Sequence, residues 1–202
     1  MVQKVIDRQD YRNQIEKKLD TPIVRAVQRA AKELLFLPEP LGNYQGFEIL
    51  GKQYEIRFYE REELHGQRVF CLSVWQKDGP NLERCKQKNY FHAFDSGEIA
   101  FRVFILKYHP DYHNQGLVSS YSETRTGFEG MGLSLALIEL SDLAINTLLR
   151  TVDDFPDEVR AVIFDQAIGK KNPKFRKGWT SAMASFIGYN YENSCFFKTY
   201  TK

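Results

Sequence analysis

A chain of 202 residues, 43% hydrophobic and 27% charged, has the make-up of a globular domain large enough to bury a core without disulfides or structural metal. Its net charge of +2 gives no field that marks a binder of nucleic acid or anionic membrane. The three cysteines, Cys71, Cys85 and Cys195, form no CxxC pair, which speaks against a disulfide framework or zinc ribbon and for reduced thiols in a cytoplasm.

The first residues, "MVQKVIDRQDYRNQ", are too charged for a signal peptide, and no apolar run reaches the roughly 20 residues of a membrane span. "VQKVID" (2–7) suits a short strand. "RQDYRNQIEKKL" (8–19) predicts a helix, with Tyr11, Ile15 and Leu19 on one face. A second helix opens with Thr21 as N-cap and Pro22 in its first turn. "PEP" (38–40) marks its stop, since proline cannot continue a helix. "QYEIRFYE" alternates Tyr54, Ile56 and Phe58 with polar partners, as a half-buried strand does. "QRVFCLSVWQ" (67–76) is a more buried strand, reached through a turn at 65–66. Residues 78–97 read as a loop, and "EIAFRVFILKYH" (98–109) as a long strand. Its hairpin partner is "GLVSSYSE" (116–123), across the turn "PDYHNQ". A single helix is expected from Leu133 to Arg150, a buried strand over 158–167, and a helix ending at Gly188. The closing "YNYENSCFFKTY" suits one bent strand or a tight pair. No repeat or linker interrupts the chain, so one domain is expected.

"GFEGMGLSLALIEL" (127–140) puts three glycines before an apolar helical run. Such a turn can aim backbone N–H groups and the positive helix end at a phosphate, or it can simply redirect the chain. A P-loop would need lysine where Leu133 stands, although Gly127, Gly132 and Ser134 have the spacing. The dinucleotide pattern G-x-G-x-x-G occurs only in reverse order.

"EGMGLSLALIEL" resembles the [Q/R]-x-x-G-x-[G/A] loop and helix of GCN5-related N-acetyltransferases. The order of elements resembles that family as well, and "SFIGYNYE" (185–192) is similar to its Gly-aromatic segment. The resemblance implies an α+β fold: one mixed, mostly antiparallel, twisted sheet with helices on both faces. Its parts would be a strand and two helices (1–37), antiparallel strands (46–123), then glycine loop, helix, strand, helix and strand (124–202). It implies acetyl-CoA as co-substrate, an amine acceptor and no metal. Arg125, Gly127, Phe128, Glu129, Gly130, Met131 and Gly132 would lie at the pyrophosphate. Lys174, in the basic run 169–179, would approach the 3′-phosphate. Glu123 or Asp165 would be the base, and Tyr189 or Tyr191 the acid, with Ser185 a weaker candidate.

The sequence departs from the family's pattern in three places. Gly127 stands at the [Q/R] position, with Arg125 two residues earlier. Four strands rather than three precede the loop. Ala184 occupies the usual tyrosine position. The last departure keeps a second reading open, a catalytically degenerate binding or regulatory module. The basic run, interleaved with Phe175 and Trp179, gives a third and weaker one, a nucleic-acid-associated domain. "YHPDYHNQGLVSS" (108–120) offers a competing glycine motif at Gly116, but no stable helix could follow it through "TGFEGMG". His109 and His113 are four apart, a spacing that would suit a metal on a helix, but Pro110 and the Asn-Gln-Gly that follows predict a turn. His92 belongs to an aromatic-rich loop. The oligomeric state stays open, a homodimer included.

Overall fold

The computed structural model describes residues 8–64, 67–79, 94–109, 112–164, 187–192 and 195–202. Helix α1 spans Arg8–Leu19 and α2 spans Pro22–Leu35, with the Val24 amide donating to Thr21 Oγ1 at 3.4 Å as the cap. A strand not expected from sequence, β1 (Asn43–Ile49), follows. Its polar, Gly46-interrupted pattern hides it, and a tight turn at Leu50 and Gly51 joins it to β2 (Lys52–Leu64). Then come β3 (Gln67–Gln76), β4 (Glu98–His109) and β5 (Tyr112–Thr124). The β4–β5 turn is shorter than expected, because His109 already pairs with Tyr112. Among the described residues five strands, not four, therefore precede the glycine stretch, and Gly116 lies inside one of them.

The expected single helix after that stretch is two: α3 (Leu133–Glu139) and α4 (Ser141–Thr151). Ser141 Oγ donates to the carbonyl of Ile138 at 2.6 Å. A hydroxyl bonding back to its own helix in this way bends it. Strand β6 (Glu158–Phe164) follows, and the chain closes with the pair β7 (Asn190–Glu192) and β8 (Cys195–Thr201). The expected strand 2–7 and the helix ending at Gly188 lie outside the described residues.

The strands form one sheet in the order β1-β2-β3-β4-β5-β6-β8-β7. All neighbours are antiparallel except β5 and β6, which run parallel. A parallel pair needs a crossover, and α3 with α4 supplies it. The architecture is α+β with a mixed, mostly antiparallel sheet. The four described helices share one core with alternate strand residues, including Ile56, Phe58, Leu72, Phe104, Val118 and Ala161. On the opposite face Val69, Cys71, Phe94, Phe101 and Val103 form a smaller cluster. The helix expected on that face falls in residues outside the description.

Parallel pairing of β5 with β6 ends at Ser119↔Val162. Strand β5 runs on to Thr124, still paired with β4 (Ala100↔Thr124). No described strand pairs with its other edge beyond Ser119. The glycine stretch leaves from the end of this open edge.

Candidate functional site

Strand β5 enters the turn through Arg125, whose amide donates to the Ile99 carbonyl at 2.8 Å. The Arg125 side chain is buried. Its guanidinium donates to the carbonyls of Asp95 (3.4 Å) and Glu98 (3.3 Å) and lies over Phe94, so it clamps the start of β4. The Thr124 hydroxyl bonds that of Ser134, tying the strand end to the first turn of α3. Phe128 and Met131 are half-buried against the main core and hold the loop down by their side chains.

Gly127, Gly130 and Gly132 all have positive φ, of 92°, 83° and 81°. Their surroundings differ. A Cβ on Gly132 would come within 2.8 Å of the Lys18 carbonyl oxygen, so this glycine is needed where α3 begins against the end of α1. A Cβ on Gly127 or Gly130 would meet nothing within 4 Å. These two leave the outer side of the loop open. The Gly127 amide donates to Glu129 Oε2 at 2.6 Å, so a loop N–H already holds an anionic oxygen from an exposed side chain.

Behind the open edge, on the helix side, lies a buried polar cluster. Arg102 projects from β4 and is only 2% exposed. Its Nη1 donates to Ser122 Oγ at 2.8 Å and its Nη2 to Ser120 Oγ at 2.7 Å, both on the open half of β5. Its Nε has no hydrogen-bond partner. Burial pulls the Arg102 pKa down to about 10, and nearby Tyr189, Tyr200 and Asp142 partly offset this, so the group stays charged at neutral pH. Tyr189, just before β7, is buried with its hydroxyl beside that of Tyr200 but without a well-formed hydrogen bond. Burial raises its pKa, which keeps the phenol protonated. Asp142, in the first turn of α4, takes hydrogen bonds from both Lys198 and Tyr200 of β8.

The alternate residues of β5 face the other way. Glu123 is opposite Phe101 in the ladder, so it shares the face of the smaller cluster with Tyr121. The Tyr121 hydroxyl is buried without a partner, and its pKa is pushed up to about 12, by burial first and also by the charges of Glu123 and Glu98. Fully buried Glu98 accepts from Tyr59 at 3.4 Å and from the Asp95 amide at 3.1 Å. Burial holds the Cys71 thiol up at about 12, so it is no thiolate nucleophile.

The fold therefore brings the glycine stretch and Glu123 to the end of β5, and places Tyr189 near Arg102 on the opposite face of the sheet from Glu123. Asp165, Lys174, Ala184, Ser185, His92 and the basic run 169–179 lie outside the described residues, as do the side chains of Tyr191, His109 and His113. No cluster of three or more metal-ligating side chains occurs among the described residues, and no described helix is long and apolar enough to cross a membrane. Sequence reasoning missed Arg102, Ser120, Ser122, Asp142 and Tyr200. A signal existed for Arg102: it is the one charged residue at an inward position between Ala100 and Phe104. No protein-family model matches the chain, and no curated protein matches it.

Proposed function

We propose that the protein is an acyl-CoA-dependent N-acyltransferase with the GCN5-related fold, acetyl transfer to an amine being its simplest reaction. The observation that carries this reading is the parallel β5–β6 pair opening after Ser119, with the glycine stretch at the mouth of the opening. The loop backbone around Gly127 and Gly130 would hold the pyrophosphate. The pantetheine arm would run back along the unpaired edge of β5, taking its main-chain hydrogen bonds as a strand would. The thioester would then lie between Glu123 on one face and Tyr189 on the other.

In this scheme Glu123 takes a proton from the acceptor ammonium. The amine nitrogen attacks the thioester carbonyl, the C–N bond forms and the C–S bond breaks. The leaving thiolate takes its proton from Tyr189, which burial keeps in the phenol form. Base and acid on opposite faces let donor and acceptor enter from opposite sides. Calorimetric titration with acetyl-CoA tests the reading: micromolar binding supports it, and no binding up to millimolar ends it. Gly130→Glu should abolish binding, since it puts a carboxylate into the open side of the loop. If the wild type binds the coenzyme but acylates no member of a broad amine panel, the degenerate binding module takes its place.

A further inference from the structure

We propose that Arg102 anchors a carboxylate on the ligand, so that the preferred acyl donor is the coenzyme A ester of a dicarboxylic acid. This rests on the acyl-CoA reading. The first reason is charge. Within the helix-side cluster Arg102 and Lys198 are positive and Asp142 is negative, and Asp142 is already bonded by Lys198 and Tyr200. The described residues of the cluster thus carry one positive charge in excess, and the hydrogen bonds of Arg102 go to the neutral hydroxyls of Ser120 and Ser122. Asp142 offsets the burial of Arg102 only in part, and an anionic ligand group would offset more of it.

The second reason is an unused donor. Arg102 Nε is buried and lacks an acceptor. A carboxylate accepts there and has no proton to give. A buried water could also accept there but could not neutralise the charge. The third reason is distance. From Thr124, where the glycine stretch begins, to Ser120 is about 13 Å at the usual rise of a strand. With the thioester beside Glu123, the far end of a short dicarboxylic acyl group falls within that span, beside the Arg102–Ser120–Ser122 contact. The reaction is otherwise unchanged: the C–S bond breaks, the C–N bond forms, and the distal carboxylate stays on the product.

The test compares succinyl-CoA with acetyl-CoA by calorimetry on the full chain. Wild type should bind succinyl-CoA at least about tenfold more tightly, the scale of one charge-assisted contact. Arg102→Met should lose that preference, and Arg102→Lys should keep part of it. Equal affinities in the wild type overturn the inference while leaving the acyl-CoA reading intact. Failure of both esters to bind ends that reading and the inference with it. If Arg102→Met does not fold, the wild-type ratio and the lysine variant still decide. A carboxylate could also come from the acceptor. KM values for amino acids and for the matching decarboxylated amines, with acetyl-CoA as donor, separate the two. A preference confined to the acceptor overturns the donor assignment.

Discussion

Strand β5 is one continuous strand with two unlike halves. From Gly116 to Ser119 it is paired on both edges, and Gly116 and Val118 are buried. A Cβ on Gly116 would press on Leu106 Cδ1 (2.9 Å), Pro156 Cγ (2.9 Å) and Val159 Cγ1 (3.3 Å). From Ser120 to Thr124 one edge is without a described partner, every side chain is half-buried, and buried polar groups lie on both faces. The first half is organised for packing. The second holds donors and charges that a core would not collect, and it borders the one place where the parallel pair opens. Polar burial in proteins is normally matched partner for partner, and the proposed ligand site accounts for unmatched groups near this strand end.

Substitutions can break that contrast. The largest effect is expected at the open half. Glu123→Gln and Tyr189→Phe should each lower acyl transfer by at least about 100-fold, with coenzyme affinity within a few-fold of wild type. Steady-state rates together with calorimetry would show this, and a rate within a few-fold of wild type removes that residue from the chemistry. Gly132→Ala comes next. It forces a side chain into left-handed backbone and against the Lys18 carbonyl, so it should cost more than the roughly 1–2 kcal/mol of Gly130→Ala. Equal urea midpoints for the two would contradict the close approach. Gly116→Val should destabilise by about 1–3 kcal/mol through overpacking, with activity per folded molecule unchanged. An unaltered denaturation midpoint would show that the packed half is looser than its contacts imply. The smallest effect should come from Glu129→Gln. Removing the charge that sits on the Gly127 amide should tighten coenzyme binding a few-fold, most visibly at low salt. Weaker binding would mean that Glu129 supports the loop rather than competing for it.

Much of the frame was legible in the sequence because it depends on local pattern. The Thr21–Pro22 helix start, the alternation around Ile56 and the apolar run of β3 each fix an element within a few residues. The site was legible only where it too is local, in the glycine stretch. That Ser120 and Ser122 lie on an open edge depends on where β6 stops pairing, some 40 residues on along the chain, and no local pattern carries that. The face Arg102 occupies was obscured because β4 is buried on both sides and reads as a nearly continuous apolar run. The break at Leu140 was hidden because Ser141 is compatible with a helix until its hydroxyl bonds back to Ile138.

The crossover also has a consequence in time. Strands β1 to β5 each pair with their neighbour in sequence, so this meander can zip up by short hairpins as the chain is made. Strand β6 joins only after α3 and α4 have formed and folded back, and β8 must then pair on its far side. Until then the whole outer edge of β5 is a naked template for another chain, Leu117 and Val118 included. Once β6 docks, no described strand covers the stretch from Ser120 to Thr124. The serines and the glutamate that line it are poor partners for a stray hydrophobic strand. The same polar residues that would serve a ligand thus make this remaining edge a poor template for another chain.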